Sequence, residues 1–189
     1  MSIILDGTNG IVTPDIDSGV STLGPLTQAL NLGSTGQIVF PATQNASSNA
    51  NTLDDYEEGT FTPVLTGSTS GTFNGEGRYV KIGQLVQVSM SFRNITTANK
   101  PIGEYVITGM PFASNASTTP DNYVGVISNL ARVTFDASKI LAVNLRPNST
   151  TIDLLENVSN ALSTLVTDAN FVNASTMFFR VSIIYTTST

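Results

Sequence analysis

The side chains that could do chemistry in this 189-residue chain are carboxylates, amides and hydroxyls, because histidine and cysteine are both absent. That absence removes Ser-His-Asp and Cys-His catalysis, imidazole and thiolate metal sites, disulfides and a histidine pH switch. Carboxylate chemistry stays open, since glycoside hydrolysis needs only two Asp or Glu groups held roughly 5 to 10 Å apart across the scissile bond. The densest acidic run holds Asp54, Asp55, Glu57 and Glu58, followed by Gly59. Its spacing does not match an EF-hand loop, in which glycine and the last glutamate hold fixed places. The run reads as the solvated or interface-capping start of a domain, and no metal, cofactor or catalytic residue is expected.

Two polar stretches carry the side chains of a saccharide-binding surface. The first offers Arg93, Asn94, Thr97, Asn99 and Lys100; the second offers Asn115, Thr118 and Asp121, with Tyr123 just beyond as a candidate aromatic platform. Amides and hydroxyls both donate and accept hydrogen bonds, as sugar hydroxyls require. Both stretches fall at tips between expected strands, where binding residues concentrate and where ordinary solvated loops also lie. The glycines between Gly71 and Gly77 form no phosphate cradle, because a strand rather than a helix is expected after them; they fit a hairpin turn.

The elements that must position these residues are strands. Hydrophobic residues make up 40% of the chain and charged residues only 12%, against roughly 25% charged in average soluble domains, so Ser, Thr, Asn and Gly build the surface. Short polar side chains compete for backbone hydrogen bonds in helices, and branched Thr suits a pleated surface. The clearest strand is 85–92, where Val86, Val88, Met90 and Phe92 alternate with Gln87, Ser89 and Ser91. Further strands are expected at 61–65, 78–82, 105–108, 123–127, 131–135, 140–145, 151–155 and 176–186. In the last of these, Met177, Phe179, Val181, Ile183 and Tyr185 share a face, but Phe178 and Ile184 occupy the other, which predicts cover on both sides, as at a subunit interface or a sandwich centre. Leu155, Val158, Leu162 and Leu165 recur at helical spacing, yet the intervening Asn, Ser and Thr are poor helix formers, so a loop with at most a short helix is expected.

Three regions follow. Glycines and prolines interrupt every apolar run in 1–35, so that segment cannot pack a core alone; 36–52 holds one short strand and a polar linker; 53–189 carries the regular strands. The expected fold is an all-β, antiparallel, jelly-roll-like sandwich preceded by a short segment and stem. A net charge of -6 with no basic stretch disfavours nucleic acid. The N-terminus lacks the pattern of a signal peptide, and no apolar run is long enough to span a bilayer. The expectation is a soluble chain made in a cytoplasm, without membrane insertion.

The run Leu53-Asp54-Asp55-Tyr56-Glu57-Glu58-Gly59-Thr60-Phe61-Thr62-Pro63-Val64 is preceded by Gly36-Gln37-Ile38-Val39-Phe40-Pro41 and followed by Gly77-Arg78-Tyr79-Val80-Lys81-Ile82-Gly83. Together these segments resemble a pattern found in bacteriophage tail-fibre and virion appendage proteins, and the resemblance covers residues 36–92. It implies that the Gly-x-Ile-x-Phe unit ends a stem and that the acidic run opens a C-terminal head. It further implies a structural protein of the virion, assembled in the host cytoplasm; the missing histidine and cysteine make it a non-enzymatic one, and the two-sided apolar final strand and fragmentary stem make the expected state a homotrimer. A short tail fibre or host-attachment appendage binding a surface glycan is the leading expectation. The alternatives are a capsid head fibre or decoration protein and, with less support from so short a chain, a polysaccharide-cleaving spike. On this reading Ile3, Ile4, Leu5, Ile11 and Val12 pair with other virion proteins, because such short extended pieces satisfy their backbone groups only against a partner.

Overall fold

The two-residue period of the sequence becomes eleven strands in a computed structural model, which describes residues 36, 38–40, 52–53, 55–116, 123–133, 139–158, 162–171 and 176–188. The expected attachment residues Ile3, Ile4, Leu5, Ile11 and Val12 lie outside the described residues. The chain divides into two units, Met1–Val39 and Phe40–Thr189, and every strand belongs to the second. The strands are β1 (Tyr56–Phe61), β2 (Val64–Gly67), β3 (Thr72–Asn74), β4 (Glu76–Ile82), β5 (Leu85–Ile95), β6 (Tyr105–Thr108), β7 (Tyr123–Ala131), β8 (Lys139–Leu145), β9 (Ile152–Val158), β10 (Thr164–Leu165) and β11 (Met177–Thr186). Among the described residues no helix is long and apolar enough to cross a membrane.

All pairings are antiparallel and form one sheet in the order β1-β4-β5-β11-β7-β8-β9-β6-β2-β3, with β10 added on β9. The sheet curls into a half-barrel around its core and turns at β7, whose residues Tyr123, Val124 and Gly125 pair with β8 while Val126, Ile127, Ser128 and Ala131 pair with β11. Alternation explains which face lies inside. Val86, Val88, Met90 and Phe92 of β5 and Met177, Phe179, Val181, Ile183 and Tyr185 of β11 are all buried. Phe92 stacks on Phe179 at 4.9 Å, Phe179 meets Phe171 edge-on, and Phe171 meets Tyr105 in the same way.

The final strand, β11, lies inside the sheet. Both of its edges are paired, by β5 and β7, but only one of its faces is covered. On the other face Arg180 and Ile184 are exposed. Other differences have local causes. The expected strand 61–65 is split at Thr62-Pro63, because proline has no N–H to donate to a ladder; Phe61 closes β1 and Val64 opens β2, at opposite ends of the sheet. Gly75 makes the matching corner between β3 and β4, donating its N–H to Pro63 O at 2.7 Å, and a Cβ there would lie 2.8 Å from the Phe92 ring. The expected strands 123–127 and 131–135 give one strand, β7, which ends at Ala131; residues 134–138 lie outside the described residues. The stretch with helical spacing is strand at both ends, since β10 pairs back on β9 with Leu165 opposite Leu155. Long-range pairing there outweighs a weak local helical preference.

The acidic run has a structural role. Asp55 is buried rather than solvated, and it forms an ion pair with the equally buried Lys81. Tyr79 donates its hydroxyl to Glu57, and Tyr56 donates to Glu58 Oε2 at 2.8 Å. In the β1–β4 ladder Gly59 faces Tyr79 and Phe61 faces Gly77, and each aromatic ring lies over the glycine opposite it; a Cβ at Gly77 would come within 2.4 Å of Phe61.

The tyrosines set an alkaline limit on stability. Donation to the Glu57 carboxylate, aided by burial, pushes the Tyr79 phenol up to about 12. Burial likewise raises the phenols of Tyr105 and Tyr185. Unfolded phenols titrate near ~10, so the folded state favours the protonated form. Its contribution is complete below pH ~10 and is lost as the pH rises through the folded values. Denaturation midpoints are therefore expected to hold through pH ~9 and to fall above pH ~10. The fall should be smaller for Tyr79→Phe, and an equal fall in both proteins would contradict the assignment.

Candidate binding surface

The loop that follows β5 is organised by its own amide. Asn99 Oδ1 accepts from the Thr96 N–H at 2.6 Å, and Asn99 Nδ2 donates to Asn94 O at 3.2 Å, which closes a tight turn. Asn94 takes a left-handed backbone conformation (φ 60°) where the β5–β11 register shifts. Thr97 is exposed at the tip. Lys100 turns away from the tip: its Nζ donates to Asp168 O at 2.6 Å and lies 3.3 Å from Asp168 Oδ2. The Asp168 carboxyl is held below its ordinary value by the Gly103 N–H and by Lys100.

The second stretch lies elsewhere. The Asn115 N–H donates to Thr186 O at 2.7 Å, and Ser114 bridges to Thr187. Thr118 and Asp121 fall outside the described residues. Tyr123, the candidate platform, is half-buried; its hydroxyl lies 2.5 Å from Thr186 Oγ1 and its ring meets Tyr185 at 6.1 Å, so it is held against β11 rather than presented free. Ile95 pairs with Met177 at the start of β11, whereas Asn115 is bound to its end. At about 3.3 Å per residue, the length of β11 puts the two loops about 30 Å apart. The structure does not bring them into one site.

What the register does bring together is a set of side chains on the outer face. Arg78 of β4 stands opposite Ser89 of β5, which stands opposite Ser182 of β11. In the next row Glu76 faces Ser91, and Ser91 faces Arg180. Arg93, two residues further along β5, completes the set and donates from Nε to Ser91 Oγ at 2.9 Å. These residues line an open groove of about 770 Å³, with Phe61 in its wall. A smaller depression of about 290 Å³ shares Arg93 and Arg180 with it and adds Asn94 and Asn129.

No protein-family model and no curated protein matches this chain. It is similar in fold to a tailspike. That structure is the Dettilon tailspike protein (gp208), matched with a TM-score of 0.53 and 18% identity over 69% of this chain. The match takes in 24% of the tailspike, so this chain spans about a quarter of that protein's length.

Arg93 and Asn94 are the residues of the first expected stretch that border the groove, while Thr97, Asn99 and Lys100 belong to the turn beyond it. Arg78 and Arg180 carry no local sign of a shared site, since they are far apart in sequence and meet only through β5. The one local hint is the polar outward face of β5, where Ser89 and Ser91 line the groove. Among the described residues no group of three Asp or Glu side chains could hold a metal ion.

Proposed function

We propose that this chain is a structural protein of a bacteriophage particle, a short tail fibre or host-contacting appendage that binds a cell-surface glycan without cleaving it. The observation that carries the reading is the likeness in fold to a tailspike over 69% of the chain. The resemblance of 36–92 to tail-fibre segments supports it independently. Absence of cleavage is supported by the acidic run, in which Asp55, Glu57 and Glu58 are engaged by Lys81, Tyr79 and Tyr56. In this arrangement 1–35 attaches the protein to the particle, 36–52 forms the stem, and 53–189 is the jelly-roll-like head.

The head works as a trimer, so three weak sites on one axis gain avidity for a repeated glycan through effective concentration. The support is an apolar patch on the outer face. Ile82 stands opposite Leu85, and Ile184 lies in the adjoining row; Val124 and Val126, exposed by 71% and 61%, extend it across β7. A contiguous exposed patch of this kind marks an interaction surface. Light scattering is expected to give about 60 kDa, three chains of 19.9 kDa. Val126→Asp with Ile184→Asp should reduce this to one chain without loss of fold, whereas a wild-type protein of one-chain mass would contradict the trimer. The function itself is tested by incubating host cells with purified protein before adding particles. Adsorption is expected to fall, and unchanged adsorption with no protein retained on the cells would refute the reading.

A further inference from the structure

We propose that the arginine-lined groove on the outer face of β4, β5 and β11 binds the carboxylates of an acidic polysaccharide. The inference rests on the reading of the chain as a glycan-binding appendage, and it adds the charge class of the glycan and the residues that select it.

The basic residues of the chain fall into two groups. The chain has 8 Lys and Arg against 14 Asp and Glu, so acceptors for every cation are plentiful. Lys81, Lys100, Lys139 and Arg146 use them, pairing with Asp55, Asp168, Glu156 and Asp153. Arg132 donates to Thr176 O. Arg78, Arg93 and Arg180 form no ion pair among the described residues, and all three line the same groove. With Glu76 as the acid beside them, the groove is positive on a chain whose net charge is -6. Chance scatter of surface cations does not favour leaving these three unpaired and side by side.

Geometry then narrows the ligand. The arginines are separated by Ser89, Ser91 and Ser182, so guanidinium groups alternate with hydroxyls across three neighbouring strands. A guanidinium presents a planar fork that matches a carboxylate and is weakly hydrated, which lowers the cost of taking it from water. Serine hydroxyls can donate to or accept from sugar hydroxyls between the charged groups. A groove of about 770 Å³ falls in the range of small-molecule sites and has room for a few sugar rings. The chain's net charge of -6 argues against a nucleic acid, which needs many more phosphate contacts than three arginines supply. The apolar patch between copies lies toward the other end of β11 and leaves the groove open, with Val126 at its border opposite Ser182.

The full-length protein would be titrated with oligogalacturonate, with neutral dextran of equal length and with a short DNA duplex. Oligogalacturonate should bind, more weakly as salt rises, and dextran should not. Arg78→Gln and Arg180→Gln should each lower affinity about tenfold while melting as wild type, and Arg146→Gln, outside the groove, should bind as wild type. Undetectable binding of oligogalacturonate, equal affinity in the groove variants, equal binding of dextran, or DNA bound as tightly as uronate would overturn the proposal. The same variants in the adsorption experiment separate the two readings. Groove variants that block adsorption as well as wild type sink this inference and leave the proposed function standing; a protein that binds oligogalacturonate through the groove but never reaches host cells does the reverse.

Discussion

Val88→Asp is expected to abolish folding, and Ser89→Asp, one residue along the same strand, to leave the fold intact. Val88 is fully buried, with Tyr79 opposite it on β4 and Ile183 opposite it on β11. Because β5 is hydrogen-bonded along both edges, it cannot slip by one residue to expose the new carboxylate without inverting its whole apolar face. Losing the valine and burying an unpaired carboxylate together cost more than about 4 kcal/mol, a large part of the roughly 5 to 15 kcal/mol that holds an ordinary domain folded. Ser89 is exposed between Arg78 and Ser182, so aspartate there stays hydrated and faces a cation. Soluble yield and thermal melting would be compared for the two variants. Equal behaviour would mean that the register is wrong.

The second large effect is expected at the ion pair that opens the head. Asp55→Ala strips the buried Lys81 ammonium of its carboxylate beneath Phe112, whose ring centroid lies 5.7 Å away. Breaking one side of a buried pair costs about 3 to 5 kcal/mol, whereas replacing both partners by apolar residues is often neutral. Urea denaturation should therefore show a strong loss for Asp55→Ala and recovery of most of it for Asp55→Leu combined with Lys81→Met. A loss below about 1 kcal/mol, the size of an exposed pair, would show that the pair contributes no more than a surface contact.

These two cases also mark what could be read from the residues alone. The alternation of Val86 to Phe92 and of Met177 to Tyr185 is local, a consequence of side chains pointing to opposite faces every residue, and the buried face of each strand follows from it. Pairing is not local. Nothing near Asp55 announces that Lys81 will lie against it, and the acidic run accordingly reads as a solvated or interface-capping start. Pro63 was visible, but its effect, to send β1 and β2 to opposite ends of one sheet, depends on which strands they meet. The leucines between Leu155 and Leu165 match a helix by spacing and a hairpin by contact. The candidate site divides along the same line. Arg93 and Asn94 stood out as polar residues at a strand end, whereas Arg78 and Arg180 join them only because β5 runs between β4 and β11.

The proposal gives this chain a place in a phage particle, and a reconstruction of such a particle with the chain present tests it most directly. The curled head should be found in three copies around one axis on the tail, projecting outward, with the preceding segment against other tail proteins. Density for the same head distributed over the capsid surface would contradict the host-contact reading and establish a decoration protein instead.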